Sequence, residues 1–198
     1  MTLFKKGQVL YYEGSPAFGV YCISEGKIKM VKSDGQGKET LLRLNEPGDL
    51  IGFQQIFKSG LHDVTAIAME ETKVCFIPRS SMKVWLEQQG SVAMELLVHL
   101  MRDIDEMQLR VSGNRGKNVR ERTAFALLEL DRRFGVDCSR GRRLSVHLSR
   151  EEFASFIGIA TETLIREISS LRDEGFLDQK GGEMVLLKYS DLRAVAGL

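Results

Sequence analysis

The sequence predicts an α+β fold with three consecutive parts: a jelly-roll β-barrel, a long helix and a winged helix-turn-helix. Residues 1–78 alternate short apolar segments with glycine-bearing turns, a pattern typical of an antiparallel barrel. Residues 91–111 carry apolar side chains at spacings of three and four, which indicates a single long helix. Two short helical segments that flank Gly158, followed by a hairpin, predict the winged helix-turn-helix.

Composition places the chain among globular proteins. It has 198 residues, of which 43% are hydrophobic and 28% are charged, enough for one large or two small domains. It has no run of about 18 apolar residues, and its start, MTLFKKGQVL, lacks the apolar core of a signal peptide. We therefore expect no membrane contact and a cytoplasmic location. Cys22, Cys75 and Cys138 are odd in number and widely separated, which favours buried thiols over a disulfide framework.

The predicted first domain covers residues 1–90. Segments such as VLYYEG and GVYCISEGKIKMVKS have the alternation of strands, and glycines mark their corners. A short helix is expected from residue 79 to about residue 88, after the last strand. No catalytic constellation is visible among these strands.

A long dimerisation helix is expected within residues 91–112. One apolar stripe of this helix is expected to pack on the chain's own barrel, and it consists of Leu96, Leu100 and Met107. A helix that is apolar on two sides needs a partner to cover one of them, so we expect a homodimer. The alternative is a one-sided core helix whose seam arises by coincidence. The predicted seam has the spacing of a two-stranded coiled coil and consists of Met94, Leu97, Met101, Ile104, Gln108 and Val111.

The predicted second domain covers residues 113–198. The segment SGNRGKN, residues 112–118, has two glycines and no apolar residue, which indicates a linker. A helix from residue 119 to residue 134 and a strand in RRLSVHLS are expected next. At the end of the chain, FLDQKGGEMVLLK predicts a hairpin that turns at Gly181 and Gly182.

Two adjacent helices precede that hairpin. Ser149 and Glu152 have the spacing of a capping box, and Gly158 ends the first helix. Thr161 is the expected cap of the second helix, which Gly175 ends. Such a pair can place its second helix in the major groove of DNA. The alternative is a helical hairpin that only packs.

Charge supports a nucleic-acid partner only through its distribution. The net charge is +1, but residues 115–143 carry many more basic than acidic side chains and lie just before the helix pair. A basic run is commonly a solvated face. Beside a helix-turn-helix it favours phosphate contact.

Four segments in order resemble the CRP/FNR family of bacterial transcription regulators, and the resemblance covers nearly the whole chain. FKKGQVLYYEG and EPGDLIGF are similar to its sensor signatures, VRERTAFALLEL to the start of its DNA-binding domain, and IGIATETLIREISSLRDEGFL to its recognition helix. The resemblance implies a cyclic-nucleotide-binding-type barrel, a dimer helix and a winged helix that binds a palindromic promoter site. It also implies contact with RNA polymerase.

Glu162 and Arg166 match the two family residues that face base edges. A carboxylate can accept a hydrogen bond from cytosine N4, and a guanidinium can donate two to guanine O6 and N7. The alternative is a surface ion pair between residues four apart. Thr161 stands where the cyclic-AMP receptor branch has arginine, and Ile165 where the FNR branch has serine. The candidate DNA-contacting residues are Thr161, Glu162, Thr163, Ile165 and Arg166, with Arg142 and Arg143 for phosphates.

The sensor positions depart from the cyclic-nucleotide-binding members. Where those members have a glutamate for the ribose and an Arg-Ser pair for the phosphate, this sequence has Phe53, His62 and Asp63. Phenylalanine cannot accept a hydrogen bond, and a carboxylate repels phosphate. We therefore expect no cyclic-AMP binding and an effector of unknown identity in a pocket that contains Phe53, Gln54, His62 and Asp63. The pattern is closer to the FNR branch.

No cofactor, metal site or catalytic residue is predicted. Cys75 falls where the FNR branch has a cluster-ligating cysteine, but three cysteines cannot supply the four thiolates of such a cluster, so Cys75 is expected to be a buried strand residue. His62 is expected to be an ordinary loop histidine, with a haem or anion ligand as the alternative. A cupin-like barrel enzyme would need clustered histidines and carboxylates. A sensor that acts only through protein partners is a third possibility.

Overall fold

Two four-stranded antiparallel sheets build the first half of the chain. The computed structural model describes residues 1–35, 37–58, 60–180 and 182–198, with the backbone only at residue 114. Within the described residues the strands are β1 (Thr2–Phe4), β2 (Val9–Tyr11), β3 (Gly19–Glu25), β4 (Ile28–Ser33), β5 (Glu39–Asn45), β6 (Leu50–Ile51), β7 (Thr65–Ala68) and β8 (Thr72–Pro78). One sheet has the order β1-β8-β3-β6 and the other β2-β7-β4-β5.

The alternation of side chains along these strands separates two apolar clusters. One cluster draws Ile23 and Ile51 from the first sheet and Ile28 and Ala66 from the second, so it lies between the sheets. The other contains Val20 of β3 together with residues of the helices that follow. Neighbouring residues of a strand face opposite sides, which is how β3 contributes to both clusters. The fold class predicted from the sequence is confirmed.

Three helices accompany the sheets: α1 (Gln54–Phe57), α2 (Arg79–Gln88) and α3 (Gly90–Asn114). The bounds of α2 agree with the prediction. The chain divides into two compact units, Met1–Glu106 and Met107–Leu198, so the division falls inside α3.

Helix α3 extends through Asn114, into the segment 112–118 predicted to be a linker. Gly113 lies in the last turn of this helix, and a β-carbon there would stand 2.2 Å from the ring of Phe125. This glycine therefore allows close approach of the helix to an aromatic ring. Gly113 therefore has a packing role within a helix, although its neighbours in the sequence predict a flexible linker.

The second unit has the predicted winged helix-turn-helix. A four-stranded sheet has the order β11-β12-β10-β9. Residue 181 lies outside the described residues, so of the predicted hairpin turn only Gly182 is described. The elements are α4 (Val119–Phe134), β9 (Gly135–Cys138), β10 (Gly141–Leu144), α5 (Arg150–Ile157), α6 (Thr161–Asp173), β11 (Leu177–Lys180), β12 (Glu183–Leu186) and α7 (Tyr189–Val195).

The three cysteines are only partly buried. Cys22, Cys75 and Cys138 are free thiols of intermediate exposure, so the expectation of buried thiols, including a buried Cys75, was wrong. Each cysteine lies on a strand that also has exposed residues, so burial along these strands is incomplete.

Candidate nucleic-acid interface

The turn between α5 and α6 is defined by local hydrogen bonds. Ser149 Oγ accepts from the amide of Glu152 at 3.1 Å, and the Glu152 carboxylate accepts from the Ser149 amide at 2.7 Å, which is the predicted capping box. Gly158 then takes a left-handed conformation with φ of 74°, which glycine adopts without steric cost. Its amide donates to the Ala154 carbonyl at 2.9 Å. The helix therefore ends at the predicted residue.

Helix α6 has one buried and one exposed face. Leu164, Ile168 and Leu171 are fully or almost fully buried and attach the helix to its domain. The predicted cap was wrong: Ala160 is the N-cap residue, it provides no side-chain hydrogen bond, and Thr161 is already helical. The difference follows from the backbone, because the extended conformation that a cap requires falls on Ala160.

The predicted base-reading residues lie on the exposed face of α6. Glu162, Ile165 and Arg166 are exposed, and Thr161 and Thr163 are half-buried. Because Glu162 and Arg166 are four residues apart, they project from the same side of the helix. The structure thus brings all five predicted residues to the first two turns of one helix.

The alternative interpretation of Glu162 and Arg166 was a surface ion pair. Within the part of the chain that the structure describes, no ion pair joins them; Arg166 Nη2 instead donates to Thr163 Oγ1 at 3.4 Å. That contact is long for a hydrogen bond. The guanidinium and the carboxylate are therefore both available to an external partner.

Two arginines of the basic segment support the helix pair from within. The Arg122 guanidinium donates to the carbonyl of Ile157 and, at 3.1 Å, to that of Gly158. It thereby satisfies carbonyls at the end of α5, which have no intrahelical partner. This role is not predictable from the sequence, where the signal is a basic residue in α4, because its partners lie more than 30 residues away.

Arg120 performs a similar task at the other end of α6. It donates to Ser170 Oγ at 3.1 Å and to Glu174 Oε2 at 2.6 Å. The hydrogen bond from Arg120 lowers the pKa of the Glu174 carboxyl, and the same contact raises the pKa of Arg120. Much of the positive charge of residues 115–143 is therefore used inside the domain.

Arg142 and Arg143 of β10 both have acidic partners. Arg142 Nε donates to Asp131 Oδ1 at 3.0 Å, and its Nη1 donates to Asp137 Oδ1 at 2.9 Å. Arg143 Nη1 lies 3.2 Å from Glu183 Oε1. Since Asp131 is buried, Arg142 stabilises the domain, and the case for phosphate contact is weaker for it than for Arg143.

The predicted dimer seam lies on the exposed side of α3. Met101 is 56% exposed and Ile104 is 43% exposed, which is unusual for a row of large apolar side chains on one helix face. Val98, which the seam prediction omitted, is also exposed. The other seam residues are exposed as well: Met94, Leu97, Gln108 and Val111.

The opposite side of α3 packs on the first sheet, with one correction. Leu96 is buried and Leu100 is half-buried in the cluster that contains Val20, as predicted for the stripe that packs on the barrel. Met107 is 67% exposed, contrary to the prediction. Asp103 and Glu106 of the same helix are buried, and helical periodicity places Asp103, but not Glu106, in line with Leu96 and Leu100.

Charged contacts connect α3 with the strands. The Arg43 guanidinium of β5 donates to both carboxylate oxygens of Asp103, in the two-point geometry characteristic of arginine. Arg102 Nη2 donates to Asp49 Oδ1 at 2.6 Å. Neither ion pair is predictable from a local sequence pattern, because the partners are about 50 to 60 residues apart.

Two of the predicted effector-pocket residues belong to the core. Phe53 is 3% exposed and packs in the cluster with Val20 and Met82. His62 is 4% exposed, and its ring stacks on Tyr11 with 3.6 Å between ring centroids. Burial lowers the pKa of His62, although the nearby Asp63 opposes the shift. This histidine is therefore neutral near pH 7 and has no free face.

The other two pocket residues differ from each other. Gln54 is exposed, while its neighbour Gln55 is buried and donates from Nε2 to Asp63 Oδ2 at 2.7 Å. Lys58 Nζ lies 3.8 Å from the same carboxylate oxygen. The predicted pocket contains Gln54 and not Gln55, because the short helix α1, which the sequence pattern does not predict, determines which of two adjacent glutamines turns inward.

Phe53, His62 and Asp63 lack the hydrogen-bonding groups expected of a cyclic-nucleotide site. A ribose hydroxyl needs an acceptor where Phe53 has only carbon, and a cyclic phosphate needs donors where His62 is enclosed and Asp63 is an anion. Among the described residues, no three His, Cys, Asp or Glu side chains are placed to hold a metal ion. No described helix is long and apolar enough to cross a membrane.

Two known families match separate segments of the chain. Residues 1–89 match the family of cyclic nucleotide-binding domains, and residues 121–195 match the Crp-like helix-turn-helix domain. The two matched segments cover the strands and the helix pair described above.

Full-length relatives match both parts together. The chain is 29% identical over 196 residues to the transcriptional activator protein FnrA of Stutzerimonas stutzeri, covering 98% of this chain and 79% of the relative. It is 26% identical over 183 residues to a CRP-like cAMP-activated global transcriptional regulator of Mycobacterium tuberculosis, covering 92% of this chain and 82% of the relative.

Solved structures have the same fold. FixK2 from Bradyrhizobium japonicum superposes with a TM-score of 0.84 at 25% identity, covering 98% of this chain and 95% of that one. A CRP-family transcriptional regulator from Thermus thermophilus superposes with a TM-score of 0.85 at 24% identity, covering 100% of this chain and 97% of that one.

Proposed function

Because this chain belongs to the CRP/FNR family of transcription regulators, we propose that it binds a palindromic promoter site as a homodimer. It is a DNA-binding regulator with an N-terminal domain of the cyclic-nucleotide-binding type. Its family is one of regulators and not of enzymes. The proposal places it in the cytoplasm, with double-stranded DNA and RNA polymerase as partners.

One observation carries the proposal: on the exposed face of α6, Glu162 has no ion pair among the described residues, and Arg166 there makes a long contact to Thr163. Glu162 and Arg166 have no ion pair with each other among the described residues, while the opposite face of α6 is buried. A helix anchored in this way can enter the major groove, where Arg166 would donate to guanine and Glu162 would accept from cytosine. Thr161, Thr163 and Ile165 would contact neighbouring base edges, sugars or phosphates.

Dimerisation would give the DNA site its symmetry. The exposed seam around Met101 and Ile104 fits the same seam of a second copy, as in a parallel coiled coil. Two recognition helices related by a two-fold axis would enter successive major grooves about 34 Å apart. The site would then be a palindrome with half-sites about one helical turn apart.

The effector, if the regulator responds to one, would differ from cyclic AMP. This follows from Phe53 and His62, which are core residues, and from Asp63, which is a carboxylate. The mycobacterial relative is named as cAMP-activated. The proposed difference in effector between the two proteins concerns the sensor residues Phe53, His62 and Asp63.

The decisive experiment is selection of genomic DNA fragments by the purified full-length protein. We expect enrichment of promoter fragments that share a palindrome, with affinity that falls steeply as salt rises because phosphate contacts release counterions. An Arg166→Ala variant serves as the matched control and should lose the enriched sequence. Recovery of no shared palindrome, or the same fragments with the variant, would contradict the proposal.

The same purified protein distinguishes the two alternative functions. A cupin-like enzyme would contain bound metal, which elemental analysis measures directly. A sensor that acts only through protein partners would not retard promoter DNA at any salt concentration.

A further inference from the structure

Two cysteines lie opposite each other on adjacent strands of the first sheet. Cys22 of β3 is the direct antiparallel partner of Cys75 of β8. Side chains at such positions project to the same face, and their Cα atoms stand about 4.5 to 5.5 Å apart. Disulfides join Cα atoms about 4.4 to 6.8 Å apart, so the expected separation of this pair falls within the range that a disulfide spans.

The surroundings leave the pair accessible. Cys22 lies two residues after Val20, and Cys75 two residues before Ile77, so both thiols share the face that packs against the helices. Both thiols keep intermediate exposure at the margin of that cluster. Burial raises the pKa of Cys22, and the adjacent Cys75 raises it further, which is consistent with two thiols close enough to interact.

We propose that Cys22 and Cys75 form a redox-active dithiol site that a small-molecule disulfide converts reversibly into an intrachain disulfide. One cysteine thiolate attacks the oxidant, breaks its S–S bond and forms a mixed disulfide while one thiolate leaves. The second cysteine thiolate then attacks the protein sulfur of that mixed disulfide and releases the other half of the oxidant. Two electrons pass to the oxidant, and the two cysteine protons end on the two released thiols.

The third cysteine provides an internal comparison. Cys138 of β9 lies opposite Gly141 of β10, so it has no thiol across the strand pair. It has the same class of exposure as the other two cysteines. Pairing that depends on the fold must therefore join Cys22 to Cys75 and leave Cys138 as a single thiol.

The test uses the reduced full-length protein and oxidised glutathione as the probe. After incubation, free thiols are alkylated, the protein is digested, and the peptides are identified by mass spectrometry. We expect one dominant cross-linked product that joins the peptides of Cys22 and Cys75 and that disappears on reduction with dithiothreitol. Separate alkylation or separate glutathione adducts on Cys22 and Cys75 would overturn the proposal.

Two controls establish the cause of the pairing. In Cys22→Ser, Cys75 should retain a glutathione adduct because no second thiol is present to release it, whereas Cys138→Ser should form the disulfide as the parent does. In strong denaturant, Cys75 is separated from Cys22 and from Cys138 by similar lengths of chain, so mixed pairing is expected. Exclusive Cys22–Cys75 pairing in the denatured chain would show that the fold is not the cause and would overturn the geometric argument.

Discussion

Individual side chains on α6 fall into a buried set that anchors the helix and an exposed set that is proposed to read DNA. Leu164 and Leu171 are fully buried and determine where the helix lies in its domain. Arg122 holds the turn that precedes the helix. Arg166 and Glu162 are left exposed, so their substitution should change recognition without unfolding the domain.

We predict that Arg166→Ala and Glu162→Ala each reduce affinity for the preferred site by about 1 to 3 kcal/mol and relax selection at one or two base pairs. The reason is the loss of donors or acceptors at base edges, which nonspecific DNA does not use. Competition binding against single-base variants of the site measures the effect. Arg172→Ala is the matched control, because Arg172 lies in the last turn of α6 and donates to Asp173.

If Arg166→Ala discriminated between bases as well as the parent protein does, the base-reading role would be wrong. Equal losses in Arg166→Ala and Arg172→Ala would also contradict it, because a uniform loss indicates phosphate attraction alone.

At the scale of elements, helix ends and helix faces decide the structure. Helix α5 has a complete capping box at Ser149, whereas the N-terminus of α6 has no side-chain cap at Ala160. Helix α3 is buried on one side and exposes an apolar row on the other. These two features lead to one prediction about stability and one about assembly.

The two helix ends should respond to substitution in opposite directions. Ser149→Ala should lower the free energy of unfolding by about 1 kcal/mol, because the Glu152 amide loses its acceptor. Ala160→Ser should raise it, because the backbone at Ala160 already has the extended conformation of a cap. Urea unfolding of both variants measures the two changes. Shifts of the same sign would contradict this account of the helix ends.

Introducing charge into the seam of α3 should produce monomers. In Met101→Lys/Ile104→Lys, like charges would meet across a desolvated interface. Sedimentation velocity should show the dimer of the parent protein and a monomer for the double variant. Glu95→Lys is the control, since Glu95 is exposed but lies outside the seam. An undisturbed dimer would place the interface on another surface.

At the scale of the whole molecule, the sensor domain has the family's fold but different chemistry at the expected nucleotide position. Phe53 and His62 belong to packed clusters. Asp63 accepts a hydrogen bond from Gln55. Contacts of α3 with the strands, through Asp103 and Arg102, connect this domain to the predicted dimer helix.

We predict that cyclic AMP and cyclic GMP do not bind this domain tightly, because neither the ribose nor the cyclic phosphate finds its partners. Isothermal titration calorimetry on the full-length protein should show no saturable heat at micromolar nucleotide. Micromolar affinity in the parent protein would refute the prediction.

The sequence by itself determined the features that depend on neighbouring residues. The predicted bounds of α2, α4 and α5 agree with the structure, because caps, breakers and apolar periodicity act over a few residues. The order of motifs identified the family, and the spacing of Glu162 and Arg166 placed both on one helix face. Each of these inferences required only short segments of chain.

Only the tertiary structure decided what depends on residues far apart in the chain. It placed Gly113 against Phe125, left Met107 exposed while Glu106 is buried, and set Cys22 opposite Cys75. The physical reason is that strand register and helix packing bring together side chains that no local pattern relates. Local propensity specifies the elements, and long-range burial specifies which of their side chains meet.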